Sequence, residues 1–232
     1  SNIGDLAPIG YYDLKQAIIK SSNNYFFKLF RKIINREKDS NTYVDSRLGL
    51  IEWNNYVKIF GLGSSLNIDM PILSSGFVPS YNYYDDLYGR NRWKFSNIYS
   101  LSIGQGELLV TPLQMANLAA IIANRGIYYT PKIAIEIDGK KVINQTRINT
   151  DIDINHYNYI IDAMEDAVKL GSARRGYMND IILCGKTSTV QNPHGYDHSG
   201  FIGFAPKEKP KIAISSYIEN AGQGGRAAVS IA

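Results

Sequence analysis

Two short clusters in the 232-residue chain bring together side chains able to do chemistry. Lys186-Thr187-Ser188-Thr189 sets one cation beside three hydroxyls, between the apolar run Ile181-Ile182-Leu183 and a polar turn. Ser21-Ser22-Asn23 offers two hydroxyls and a carboxamide. A cation and hydroxyls displayed from the edge of a strand raise the question of catalysis, and catalysis raises the question of a nucleophile. Taken singly, each cluster also has a plain structural explanation. Ser-Ser-Asn suits a helix N-cap, and Lys-Thr-Ser-Thr suits an exposed edge strand on which the lysine guards against aggregation.

The other polar groupings carry less. His194 and His198 stand four apart with Asp197 between them, but H-x-x-x-H needs a helix to bring both rings to one face, and "NPHGYDHSG" is a turn. No metal site is expected there. Asp197, His198 and Ser199 follow one another directly, whereas the members of a catalytic triad converge from separated elements. No G-x-S-x-G elbow occurs, and "GQGGR" from Gly222 lacks the lysine of a phosphate loop and reads as a turn entering a helix.

The elements that must position the two clusters are legible in part. "DLKQAIIK" places Leu14, Ala17 and Ile18 on one helical face, and "YFFKLFRKII" repeats the pattern with Phe26, Phe30, Ile33 and Ile34. "SSNN" interrupts them, so residues 21–24 should be held between two anchored helices. Residues 36–48 read as loop, "LIEWNNYVKIF" as a helix ending at the glycines of "GLG", and 67–97 as long irregular connections. Thr111, Pro112 and Gln114 form a helix start, with Leu113, Leu118, Ile121 and Ile122 as the expected apolar side and Gly126 as the stop. "KIAIEIDGKKVI" predicts a hairpin turning on Asp138-Gly139. Tyr157, Ile160, Ile161, Met164 and Val168 have helical spacing. Three strands are expected at 180–191, 198–206 and 210–219. Helices followed by a strand meander predict an α/β chain of α+β type, an antiparallel sheet flanked by helices, in a single domain over 1–232.

Composition narrows the partners. Apolar residues make up 44% and charged residues 20%, ordinary for a globular domain. The 25 basic and 21 acidic residues are interspersed, which gives no footprint for nucleic acid. The single cysteine, Cys184, excludes an internal disulfide and a cysteine-based zinc site, and is expected as a buried structural thiol. No apolar run reaches transmembrane length. The chain starts on Ser-Asn-Ile-Gly and stops within an Ala-rich stretch, so both ends read as cut.

Together, and in this order, the two clusters resemble the second and third active-site motifs of the penicillin-binding transpeptidases, S-x-N and K-T-G, which follow an S-x-x-K. The likeness extends along the chain. "AIIKSSNNYFFKL" is similar to the motif-two helix pair, and "FGLGSSLNIDMPILSSGFVPS" to a Gly- and Pro-marked stretch of the family. "SIGQGELLVTPLQMANLAAIIANRG" is similar to its "siGQG...TPLQ.A....aiAN.G", "MEDAVKLGSA" to the "M..Vv..GTA" before the third motif, and "HSGFIGFAP" to the strand after it. Five landmarks in order point to class B members of the penicillin-binding protein 2 type.

The resemblance implies a β-lactamase/transpeptidase-like fold, incomplete at both ends, and the C-terminal part of a peptidoglycan D,D-transpeptidase domain. It implies that Lys186, with the hydroxyls of Thr187 and Thr189, binds the carboxylate of a D-alanyl-D-alanine stem peptide or of a β-lactam. The backbone N–H of Thr189 is implied as an oxyanion-hole donor, Ser21 as a proton relay, and Asn23 as the holder of the substrate amide. No cofactor is implied, and the parent protein would be anchored in the cytoplasmic membrane facing the periplasm, with elongation-machinery membrane proteins as possible partners. Two departures stand out. No serine is followed three residues on by lysine, so the nucleophile is expected outside these 232 residues and the chain alone is expected to be inactive. Ser188 stands where the family has Gly, adding bulk or another hydroxyl at the cleft wall. A D,D-carboxypeptidase or serine β-lactamase, and a non-catalytic scaffold that kept the fold, are the alternatives. The long interval from Ser21 to Lys186 disfavours a compact β-lactamase.

Overall fold

A computed structural model describes residues 4–5, 7–69, 74–142 and 146–232. Contacts group the chain into two compact units, Ser1–Ser64 with Gly76–Val110 and Ser65–Ser75 with Thr111–Ala232.

The first unit is helical. α1 (Leu14–Lys20) begins in a capping box, Asp13 accepting from the Gln16 N–H at 2.7 Å while Gln16 accepts from the Asp13 N–H at 3.2 Å. α2 (Asn23–Ile34) buries Phe30 and Ile34. α3 (Thr42–Ile59) crosses α2 at Gly49, where a Cβ would lie 2.5 Å from the Ile34 Cα, so only glycine permits this approach. α4 (Tyr81–Tyr88) and α5 (Phe95–Ile98) complete a core of Phe30, Ile34, Tyr43, Leu50, Tyr84, Trp93, Phe95, Ile98 and Leu101.

Two sequence expectations fail in this unit. The loop expected over 36–48 is helical from Thr42. Asn41 caps it by accepting from the Tyr43 N–H at 2.9 Å, and its polar residues are buried against distant donors. Asp45 accepts from the N–H groups of Glu37 and Lys38, and Ser46 Oγ from the Phe95 N–H at 3.2 Å. The irregular stretch expected over 67–97 contains α4 and α5; residues 70–73 of it lie outside the described residues. Its tyrosines form core. Tyr84 is fully buried, and Asp85 accepts from the Tyr43 hydroxyl at 2.8 Å and the Trp93 indole at 2.7 Å.

The second unit is a three-stranded sheet with helices. α6 (Pro112–Ala123) has the expected capping box, the Gln114 N–H donating to Thr111 Oγ1 at 3.1 Å and the Thr111 N–H to Gln114 Oε1 at 2.9 Å. Its buried face differs from expectation. Ile121 is buried with Ala119 and Ala123, but Gln114 and Asn117 replace Leu113, Leu118 and Ile122, which stay partly exposed. Gln114 is kept inside by donating to the Ser75 carbonyl at 2.8 Å. β1 (Ile127–Tyr129) pairs antiparallel with β4 (Arg147–Asn149), a pairing the sequence pattern did not reveal. β2 (Glu136–Ile137) and β3 (Lys140–Lys141) form the expected hairpin, with Asp138 and Gly139 at positive φ. Residue 143 of that stretch lies outside the described residues.

α7 (Ile154–Lys169) buries Tyr157, Ile161, Met164 and Val168, as its spacing predicts, while Ile160 of the same expected set is only partly buried. β5 (Cys184–Val190), β6 (His198–Ala205) and β7 (Ile212–Ile218) form the antiparallel meander, in the order β5-β6-β7. α8 (Ala227–Ile231) follows. Strand alternation splits the sheet into two faces. Cys184, Phe204 and Ala213 pack with Ala123, Ile161 and Met164 of α6 and α7. Phe201, Ile214 and Ile218 pack with Val168, Ala173, Ala228 and Val229. Cys184 is fully buried, and burial pushes its thiol up to about 12. Among the described residues, no helix is long and apolar enough to cross a membrane.

Candidate active site

The first cluster is a turn between two helices. Ser21 ends α1 in the left-handed conformation, φ 58° and ψ 49°, with its N–H donating to the Ile18 carbonyl at 3.3 Å. Ser22 is buried and caps α2, accepting from the Tyr25 N–H at 3.3 Å and donating to Asp5 Oδ2 at 2.9 Å. Asn23 and Asn24 already belong to α2. Their N–H groups donate to the same carboxylate, Asn23 to Oδ1 at 3.1 Å and Asn24 to Oδ2 at 3.0 Å. Asn23 Nδ2 donates to the Gly4 carbonyl at 2.8 Å. Burial raises the proton affinity of Asp5, but the hydrogen bonds from Asn24, Ala7, Ser22 and Asn23 outweigh it and hold the carboxyl below the usual carboxylate range.

The second cluster is most of β5, at an edge of its sheet among the described residues. Its register is Lys186 opposite Ile202, Thr187 opposite Phe201, Ser188 opposite Gly200 and Thr189 opposite Ser199. Alternation therefore puts Lys186 and Ser188 on the face of Cys184, and Thr187 and Thr189 on the face of Phe201. Lys186 Nζ donates to the Thr187 carbonyl at 3.0 Å, and burial pushes the ammonium down to about 8. Thr187 is nearly buried, and its hydroxyl donates to Ser172 Oγ at 2.8 Å. Thr189 Oγ1 accepts from the Gly224 N–H at 3.1 Å. Ser188 is exposed and leans across the sheet, so that a Cβ on Gly200 would overlap its Oγ.

The loop before α8 lies directly on this strand. A Cβ on Gly224 would overlap the Ser188 carbonyl oxygen and sit 2.7 Å from its carbon and 2.9 Å from the Gly200 oxygen. Buried Ser199 ties the loop down, donating to the Gln223 carbonyl at 3.2 Å and accepting from the Ala228 N–H at 3.0 Å. Asp197 serves the β5–β6 hairpin, and His198 holds the segment that follows β7. Asp197 Oδ1 accepts from the Asn192 N–H at 3.2 Å, and His198 Nδ1 from the Asn220 N–H at 3.0 Å.

Within the first unit, then, Ser22 and Asn23 are held by Asp5, with Ser21 preceding them at the end of α1; within the second, Thr187 and Thr189 are braced by Ser172 and Gly224. Sequence reasoning singled out none of Asp5, Ser172, Gly224 and Ser199 as site residues. Ser172 and Gly224 lie in quoted motifs, "KLGSA" and "GQGGR", which gave a signal; a lone aspartate gives none.

The sequence profile of the penicillin binding protein transpeptidase domain matches residues 3–232. The chain belongs to that family. Peptidoglycan D,D-transpeptidase MrdA of Acinetobacter baumannii is 28% identical over 239 residues, covering 94% of the chain and 33% of the relative. MrdA of Haemophilus influenzae is 26% identical over 96% of the chain and 35% of its own length. The chain thus spans about a third of these relatives. Among solved structures, PBP2 of Pseudomonas aeruginosa superposes with a TM-score of 0.79 at 27% identity, over 96% of the chain and 48% of that protein. PBP2 of Helicobacter pylori, solved in complex with MreC, gives 0.75 at 25% identity, over 96% and 40%. The likeness is to the penicillin-binding protein 2 type, in agreement with the motif order.

Proposed function

We propose that these residues are the C-terminal part of one transpeptidase domain of a peptidoglycan D,D-transpeptidase acting through serine acylation. The observation that carries the reading is Lys186, an ammonium on an edge strand that burial brings down to about 8, followed along that strand by Thr187 and Thr189 on the other face, in a chain matched to the family from residue 3 to 232. A lysine made less basic by its surroundings is suited to sharing protons near neutral pH while still supplying positive charge. In this reading Lys186, Thr187 and Thr189 take the carboxylate of the stem peptide or of a β-lactam. The backbone N–H of Thr189 faces the developing oxyanion, Ser21 relays the proton to the leaving amine, and Asn23 holds the substrate amide. The bond from Asn23 Nδ2 to Gly4 uses one donor of that carboxamide and leaves its oxygen and second N–H.

The acylating serine is assigned to an S-x-x-K segment outside these residues, in a parent protein anchored at the periplasmic face of the cytoplasmic membrane. Membrane proteins of the elongation machinery are its proposed partners, in keeping with the MreC complex of the Helicobacter pylori relative. The test joins residues 1–232 to an upstream S-x-x-K segment and measures acylation by a labelled penicillin. Lys186→Ala should slow acylation by about 10²–10³-fold, the scale of losing one charged donor at the reacting carboxylate and oxyanion. A joined protein that is never acylated, or a Lys186→Ala variant acylated at the wild-type rate, refutes the reading.

A further inference from the structure

We infer that Asp5 is a positioning residue for the Ser21-Ser22-Asn23 turn: one carboxylate that fixes this turn from outside its own segment. The inference rests on the transpeptidase reading for the reaction the turn serves; the clamp itself stands on geometry. Each carboxylate oxygen takes two donors. Oδ1 accepts from the N–H of Asn23 at 3.1 Å and of Ala7 at 3.0 Å, and Oδ2 accepts from the Asn24 N–H at 3.0 Å and Ser22 Oγ at 2.9 Å. That fills the acceptor capacity of a carboxylate.

Three features make this more than an ordinary cap. First, the Asn23 and Asn24 amides open α2 and have no partner inside the helix, and Tyr25, the next, is taken by Ser22. Asp5 and Ser22 therefore finish the first turn as a pair, and Asp5 fixes Ser22 by accepting its hydroxyl hydrogen bond. Second, the Asn23 carboxamide is held by the Gly4 carbonyl, the residue next to Asp5, so the segment that caps the backbone also sets the side chain. Third, Ser21 holds a left-handed conformation that non-glycine residues adopt only when their surroundings enforce it. The end of α1 enforces it from one side, and the Asp5 clamp on Ser22 and Asn23 enforces it from the other. Loss of the carboxylate charge frees the residue after Ser21 and, with it, the direction of the Ser21 hydroxyl.

The experiment uses residues 1–232 joined to an upstream S-x-x-K segment and follows a chromogenic β-lactam by stopped flow, separating the binding constant from the acylation step. Asp5→Asn keeps the shape but turns an N–H₂ group toward the donors. Its acylation step should fall roughly tenfold, the scale of a misaligned proton-relay group, with binding changed less than about threefold. Asp45→Asn is the control, because Asp45 also clamps two backbone N–H groups in the same unit, those of Glu37 and Lys38, without touching the turn. It should leave both constants unchanged. Should Asp5→Asn fail to fold, Ser22→Ala removes one of the four donors and should slow the acylation step about threefold. Equal rates for Asp5→Asn and wild type overturn the inference. So do equal losses in Asp5→Asn and Asp45→Asn that track melting temperature, since the clamp would then be only a matter of stability. Absence of acylation in the unmutated joined protein is a different result: it removes the functional reading and this inference falls with it.

Discussion

Lys186→Met should make the chain more stable at neutral pH, and the gain should disappear in alkali. Burial lowers the Lys186 ammonium from its ordinary 10.5 to about 8, which corresponds to about 3 kcal/mol of unfavourable burial of the charged form. Methionine fills similar volume without a charge. Against this stands the loss of the hydrogen bonds that Nζ makes, the one to the Thr187 carbonyl among them, each worth about 1 kcal/mol. The net expectation at pH 7 is a gain of about 1–3 kcal/mol, or a rise in melting temperature of roughly 3–10 °C for a chain of this size. The pH dependence follows from the direction of the shift. Below pH 8 the lysine is charged in both the folded and unfolded states, so the folded wild type bears the full cost. Between pH 8 and 10.5 the unfolded chain holds a proton that the folded chain has released, so wild-type stability rises with pH relative to the variant. Above 10.5 both states are neutral and the advantage of methionine is gone. Urea unfolding of both proteins at pH 7, 9 and 10.5 measures this, with equal m-values as the check that the same transition is compared. A variant less stable at pH 7, or an advantage that stays constant through pH 10.5, would refute the buried-ammonium account. In the joined protein the same substitution should slow acylation by about 10²–10³-fold, as Lys186→Ala does, the trade-off expected where a site holds a strained charge.

Gly224→Ala should lower stability by about 2–4 kcal/mol, because its Cβ meets backbone atoms of Ser188 and Gly200 that cannot move aside and the bond to Thr189 is lost. Gly200→Ala meets only the rotatable Ser188 hydroxyl, so it should cost about 1 kcal/mol and be rescued by Ser188→Ala in a urea-unfolding double-mutant cycle; equal costs for both glycines would contradict the packing. Thr187 gives its one hydroxyl proton to Ser172, so donating it to a ligand carboxylate requires the pair to reverse with Ser172 as donor. Ser172→Ala removes that donor and in the joined protein should weaken β-lactam binding by about three- to tenfold; unchanged binding would show that Thr187 does not touch the ligand. The 232-residue chain by itself, incubated with a penicillin, should gain no acyl mass in intact-mass spectrometry, since no serine in it has lysine three residues on. A stoichiometric adduct at any serine would sink that expectation.

Much of the scaffold was legible in the sequence. Thr111-Pro112 with Gln114 marked the start of α6, Asp138-Gly139 marked a hairpin, the spacing of Tyr157 to Val168 marked α7, and the last three apolar runs gave the meander. These signals are local: a cap or turn is satisfied by residues within four positions of it. The first turns of α3 and all of α4 were missed because their polar and tyrosine-rich residues face buried partners far along the chain. Ser46 meets Phe95, and Asp85 meets Tyr43 and Trp93. Polarity alone reads such residues as loop.

The same division runs through the site. The order of motifs, Ser21-Ser22-Asn23 and then Lys186-Thr187-Ser188-Thr189, is a property of the chain and pointed to the family by itself. What each side chain is able to do was decided by tertiary structure. Lys186 owes its lowered proton affinity to burial, Thr187 its orientation to Ser172, Thr189 its partner to Gly224, and the Ser21 turn its brace to Asp5. None of these follows from local sequence, because desolvation and hydrogen-bond geometry depend on which atoms the fold brings within about 3 Å, wherever they lie along the chain.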